Sequence, residues 1–270
     1  MTDAQLERVA GEAAPLIGSL TRFGFGTKGL VTVLVGVLAL RYALGAGGNI
    51  TGQEGAIESV LGQPFGRALL AVIAAGLAAY ALWMFVAAVV DPERKGTGVA
   101  GVAERAGFFV TGIGYALLAF AALKLLLGRP GGDGTDVDDL AASVLTPYVG
   151  RFLVGLAGAI VMTAGLLQLR LGITGRFRES LRQNLSRLER IITGVSGSVG
   201  YVTLGCLSLI VGYSLVQVAV DYDPSQAGGW DEALWLLSGL GRGRWLLGVA
   251  AAGLSLYGLY FVLLVRYRRL

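Results

Sequence analysis

Six stretches of the chain run apolar on every face, spanning approximately 27–44, 68–90, 106–127, 152–171, 195–220 and 245–265. A hydrocarbon layer of roughly 30 Å takes about 20 helical residues to cross, whereas the core helices of a soluble domain are shorter. Those core helices also keep a polar side, which these runs lack. The runs are rich in Leu, Ala, Val and Gly and show no period-two alternation. They therefore predict helices that satisfy their own backbone inside lipid, not the strands of a barrel. The pattern predicts an all-α membrane protein with six transmembrane helices.

The runs come in pairs, and the pairs repeat. Arg22, Arg105 and Arg190 each open a motif that places a glycine seven positions on, at Gly29, Gly112 and Gly197. Glu54, Asp138 and Asp231 are each followed thirteen residues later by Arg67, Arg151 and Arg244. Recurrence at a fixed spacing defines three copies of one unit. A unit with an even number of spans re-enters the membrane in the same orientation. The expected architecture is thus three parallel two-helix hairpins in a pseudo-threefold arrangement about an axis along the membrane normal, in contrast to the inverted repeats of many transporters. The divisions are 1–21, an amphipathic cytoplasmic segment; 22–91, the first repeat; 92–104, a cytoplasmic linker; 105–172, the second repeat; 173–189, a basic amphipathic linker helix; and 190–270, the third repeat with a basic tail.

Behind each connector acid, apolar residues recur three or four apart, at Ile57, Val60 and Leu61, then Ala141, Val144 and Leu145, then Leu234 and Leu237. This predicts short helices lying at the outer interface with one apolar face in the headgroup region. The linker is predicted to be one basic helix over 176–192 with Leu181, Leu185, Leu188 and Ile192 along a stripe, either on the inner leaflet or packed on its neighbours. Small residues four apart in the second helices (Ala71, Ala75 and Ala79; Gly155, Ala159 and Thr163; Gly248 and Ala252) are expected to carry the helix contacts.

Composition supports the membrane reading and narrows the chemistry. The 270 residues are 54% hydrophobic and 15% charged, and the mean hydropathy is +0.68. The net charge of +4 is unevenly spread: fifteen of the 22 basic residues fall on one side of the expected topology, and seven on the other, together with ten of the eighteen acids. That asymmetry places both termini in the cytoplasm of a bacterial inner membrane and accounts for the basic charge without nucleic acid. Residues 1–20 carry Asp3, Glu7 and Glu12 and no continuous apolar core, so the first span is expected to act as the insertion signal.

The chain has no histidine and one cysteine, Cys206. Haem, zinc and iron–sulfur ligation therefore have no usual ligand set, and neither a metal nor a cofactor is expected. The G-V-S-G run at 194–197 has the form of an intramembrane serine protease motif but lacks the histidine base. No phosphate-binding glycine loop is present. An enzyme is not expected.

Two polar constellations remain. Lys28, Thr111 and Ser196 share a repeat position and form a candidate polar ring around an inner vestibule. Glu54 with Arg67, Asp138 with Arg151 and Asp231 with Arg244 are candidate outer pairs. They would either fasten each connector helix to the returning span or ring an ion pathway. Lys28, Arg41, Lys124 and Arg170 fall near span ends, where long basic chains reach the interface. Tyr42, Tyr148, Trp230, Trp235, Trp245 and Tyr267 are expected to be interfacial anchors.

The runs R-F-G-F-G-T-K-G at 22–29, Q-P-F-G-R at 63–67 and G-L-A-A-Y-A-L-W at 76–83 resemble the bacterial membrane family called domain of unknown function 1206. The second copy has P-Y-V-G-R at 147–151, and the third has G-L-G-R-G-R at 239–244. The resemblance extends from Arg22 to about Val265 and implies a bacterial inner-membrane protein with three two-helix units. It implies no catalytic residue. Two functions stay open: a channel or facilitator for a small ion or solute, and a non-transporting module that binds membrane lipid, a partner membrane protein or a second copy of the chain.

Overall fold

The computed structural model describes residues 3–90, 98–128, 147–181, 185–221, 230–239 and 241–267, with side chains from 18 onward except at 99, 100, 103, 147–149, 180, 230–232 and 267. They form α1 (Asp3–Ala43), α2 (Gln53–Leu61), α3 (Gly66–Val90), α4 (Val99–Leu126), α5 (Pro147–Thr174), a 3-10 turn (Arg176–Ser180), α6 (Arg187–Asp221), α7 (Trp230–Gly239) and α8 (Gly243–Tyr267). Six of these hold a stretch apolar and long enough to cross a membrane: Gly18–Ala43, Gly66–Val90, Glu104–Leu126, Gly150–Thr174, Arg187–Asp221 and Gly243–Arg266. The fold is all-α, and the first membrane helix continues without interruption through Pro15 into the N-terminal segment.

The most extensive interfaces do not lie within the sequence hairpins. They join α3 to α4, α5 to α6 and α8 to α1. Each links the second helix of one copy to the first helix of the next, and the last copy returns to the first. Lesser interfaces between α1 and α3 and between α6 and α8 close the first and third copies. Among the described residues, α4 and α5 form no packed interface. The cyclic order of the repeats is kept, but the ring is open at the middle copy. The spans follow one another as an arc: α4, α3, α1, α8, α6, α5. Burial follows that order, for half of the apolar window is buried in α1 and in α8, and 11% in α5.

Helices in lipid gain nothing from sequestering apolar side chains, so close approach of backbones has to hold them together. Glycine permits it here. A Cβ added to Gly29 of α1 would lie 2.7 Å from the carbonyl oxygen of Gly258 in α8, and one added to Gly205 of α6 would lie 2.8 Å from that of Gly165 in α5. Most of the residues spaced four apart do not carry the packing: Ala71, Ala75, Ala159, Thr163 and Ala252 are exposed, whereas Ala79 is buried and Gly155 and Gly248 lie beside Ala219 and Ala43.

The same contacts set the register between copies. In the first, Gly24 abuts the Tyr80 backbone and Thr27 sits over Gly76; in the third, Gly200 abuts Tyr257 and Thr203 sits over Gly253. Gly24 corresponds to Gly107 in the second copy, which has open space before it. There the threonine–glycine crossing is replaced by Val110 and Ile160, branched on both sides and 53% and 45% exposed. Two branched side chains keep α4 and α5 apart where their counterparts touch.

Helix ends are fastened by arginine. Arg105, early in α4, donates from Nε to the carbonyl of Ala88 (2.7 Å) and from Nη2 to that of Val89 (2.9 Å) at the end of α3. Arg151, early in α5, donates from Nε to Ala219 and from Nη2 to Val220 (3.2 Å) at the end of α6. The last carbonyls of a helix have no partner of their own, and a cation there also complements the helix dipole.

Two expectations about the connectors are corrected. The outer helices α2 and α7 form, but their apolar faces turn onto the bundle and not into the headgroups: Ala56, Ile57 and Val60 of α2 and Ala233 and Leu234 of α7 are buried. The connector over 129–146 lies outside the described residues. The basic linker is not one helix. Gly175 adopts φ +68°, which ends α5, and the 3-10 turn follows. Ser186 and Glu189 then cap α6 reciprocally: the Ser186 amide donates to Glu189 Oε2 (2.9 Å) and the Glu189 amide to Ser186 Oγ (3.3 Å). Phe177 and Leu181 are buried, whereas Leu188 is exposed, so the linker straps the end of the bundle where α5 passes into α6.

Replacing Gly29 by alanine should force α1 from α8 and lower stability by about 1–3 kcal/mol, as overpacking does. Gly114 has nothing within 4 Å, so Gly114→Ala should leave stability unchanged or raise it by up to about 1 kcal/mol through helix propensity. Unfolding in mixed micelles, followed by tryptophan fluorescence, separates the two.

Candidate functional site

Lys28 lies in α1 and is only 9% exposed. Its ammonium is held by neighbouring helices inside the bundle. Arg41 behaves as expected of an end-placed arginine, exposed and donating to the Ala46 carbonyl at 3.5 Å.

A cage of rings from three helices, α3, α4 and α8, holds the Lys28 ammonium of α1. Nζ donates to the Tyr80 hydroxyl at 2.9 Å. It also lies 4.2 Å from the ring centroid of Phe261, 4.8 Å from Tyr80, 5.2 Å from Tyr115 and 5.9 Å from Tyr257. A charged lysine withdrawn from water into an apolar bundle carries a desolvation cost. Desolvated cation–π contacts contribute up to about 2 kcal/mol each where the cation sits over a ring face, so the cage can offset that cost. On the connector side, Tyr115 lies near the side chain of Gln53 at the start of α2 and meets the Tyr80 ring edge-on at 4.6 Å. Polar groups thus lead from the α2 connector to Lys28: Gln53, Tyr115, Tyr80.

Towards the inner side the rings continue. Phe25 stacks on Phe261 at 5.6 Å, Tyr257 meets Phe261 at 4.9 Å and Tyr201 at 5.3 Å, and Phe177 of the strap meets Tyr201 at 5.4 Å and Tyr260 at 5.3 Å. Aromatic rings fill the interior from the cage to the strap.

The expected polar ring is not assembled. The Thr111 hydroxyl turns back to the carbonyl of Gly107 at 2.8 Å. Ser196 is buried nearer the inner end of α6, and the contacts that match Gly24 to Gly200 and Thr27 to Thr203 align Leu204, eight residues later, with Lys28. The motif at Arg190 is a chance echo of the first copy. Of the outer pairs, Glu54 and Arg67 are both exposed and form no ion pair with each other. Asp138 and the side chain of Asp231 lie outside the described residues. Arg244 is exposed at the start of α8, and Arg151 bonds the end of α6. Sequence reasoning missed Gln53, Tyr80, Tyr115, Tyr257 and Phe261. The available signal was tyrosine deep inside apolar runs, with Tyr80 and Tyr257 at matching repeat positions.

Three parallel two-span units, joined by glycine crossings around a caged lysine, define a multi-pass helical membrane protein. The chain belongs to the family described as Domain of Unknown Function (DUF1206), whose pattern matches residues 23–91, 106–175 and 199–268. It is similar to the uncharacterized protein YxxB of Bacillus subtilis (strain 168), with 31% identity over 262 residues that cover 97% of this chain and 94% of the relative. No solved structure matches. The matched segments start at 23, 106 and 199, which pairs Lys28 with Thr111 and Leu204 and agrees with the packing register.

Removing the hydroxyl by Tyr80→Phe leaves a buried ammonium short of an acceptor and should lower stability by about 1–3 kcal/mol. The double variant Lys28→Leu/Tyr80→Phe should recover most of that loss, because replacing both partners by apolar groups of similar shape is close to neutral. Thermal unfolding in detergent of the two single variants and the double variant tests this.

Proposed function

We propose that the protein is a facilitator for a small ion or solute in the bacterial inner membrane, with both termini cytoplasmic and with Lys28 at the closed point of the path. One observation carries the reading. The fold accepts Leu204 at the position of Lys28 in the third copy, and Thr111 in the second, so a cation there is not required for folding. A charge kept buried inside the bundle against its cost points to a path or relay. The polar chain from Gln53 to Lys28 gives that path its outer half, and the ring cluster below Lys28 closes the inner half. Movement of Tyr257 and Phe261 on α8 relative to α1 would open it. The expected lining of Lys28, Thr111 and Ser196 is replaced in this reading by Gln53, Tyr115, Tyr80 and Lys28. No step of covalent chemistry is assigned to the protein.

A non-transporting module that binds lipid or a partner membrane protein is the second reading. It is favoured by the middle copy, where α4 and α5 leave their facing sides unpacked.

Proteoliposomes decide between them. With an entrapped iodide-sensitive dye and, separately, light scattering after a step in glycerol, wild-type vesicles should equilibrate one of the two faster than empty vesicles. Lys28→Leu, which copies the third repeat, should change that rate about tenfold or more, equivalent to 1.4 kcal/mol on the barrier. Wild-type vesicles no faster than empty ones in either assay remove the facilitator reading. For topology, reporter fusions at either terminus should be active only in the cytoplasmic form.

A further inference from the structure

At the end of the arc, a shallow open groove of about 440 Å³ runs between α5 and α6. Arg151 stands at its mouth. Gly155 and Ala219 form its floor, where a Cβ on Gly155 would meet that of Ala219 at 3.2 Å. Leu156 of α5 and Val216 and Val220 of α6 form its walls. The volume is within the range of sites that hold small ligands. We infer that this groove binds one anionic phospholipid of the outer leaflet, its phosphate against Arg151 and an acyl chain along the floor.

Three observations combine to favour a lipid. First, the order of chemistry along the groove is that of a lipid. A cation lies in the first turns of α5, at the membrane surface, and the lining below it is apolar. Second, the cation is already fixed. Its Nε and Nη2 donate to the Ala219 and Val220 carbonyls, so the guanidinium loses little further freedom when a phosphate arrives, and preorganisation of this kind favours affinity. Guanidinium also suits phosphate geometry better than an ammonium does. Third, the groove lies on the most exposed span of the bundle, open to lipid. A membrane protein partner would need apolar complementarity along α5, yet the pocket carries a charge at its mouth and is one helical crossing wide. The site is separate from Lys28, so this inference and the facilitator reading stand or fall independently.

The full chain is reconstituted in nanodiscs with equal amounts of phosphatidylglycerol and phosphatidylcholine, released into mild detergent and weighed by native mass spectrometry. The wild type should retain one phospholipid per chain, with phosphatidylglycerol favoured about tenfold. Gly155→Leu, which fills the floor, should lose it. Leu156→Trp, which narrows the groove from an exposed position, should lose it as well and keeps the test decisive where Gly155→Leu fails to fold. Bound lipid in the proportions supplied, or retention by a folded groove-filling variant equal to that of the wild type, would overturn the site. Loss of phosphatidylglycerol selection in Arg151→Gln with lipid still bound supports the phosphate contact.

Discussion

Inside a bilayer, apolar surface gains nothing by turning inward, and the structure rests on backbones that come within van der Waals reach of one another. The crossings of Gly29 with Gly258 and of Gly165 with Gly205 supply that contact between copies. They make α1 with α8 and α5 with α6 the units that hold the bundle. The caged lysine depends on the first of them. Phe261 and Tyr257 reach Lys28 because α8 lies close enough to α1 for side chains three residues and one residue from the crossing to close over it.

Three similar stretches of sequence do not have to give three similar pieces of structure. The first and third copies pack their two helices through a threonine that rests on a glycine. The middle copy has Val110 and Ile160 at those places, and its helices part. Its strong interfaces survive: Gly112 still faces α3, against Phe85, and Gly158, Gly165 and Gly172 still face α6. The arc results from local substitution at one of two interface types, and the cyclic order of the repeats is otherwise kept.

The spans, their pairing in sequence and the all-α class were legible because length and continuity of apolar residues are direct consequences of bilayer thickness. The short connector helices were legible from apolar spacing, although their orientation was not: a helix beside both lipid and protein has two apolar surroundings, and periodicity does not choose between them. The packing faces were misread for a similar reason. Ala71 and Ala75 and their counterparts recur at helical spacing, but only the partner backbone shows which small residues need to be small. The burial of Lys28 was not legible: the polar segment before it, with Arg22 and Thr21, reads as the end of a span, whereas α1 already lies within the bundle there, with Thr21 buried at 1% exposure. The cage itself draws on residues up to 233 positions apart, Lys28 and Phe261, and no local pattern encodes such a meeting.

The pairing of α1 with α8 also bears on how the protein is made. The ribosome delivers the first span with its lysine long before the last span exists, and two of the four rings that shield the ammonium arrive only with that last span. Until translation has finished, the lysine has only Tyr80 and Tyr115 of its cage beside it, a half-shielded charge that the insertion machinery or an early neighbour has to tolerate. A chain cut short before α8 would keep that half-shielded charge for good, a mark by which the cell's membrane proteases could tell an incomplete product from a finished one.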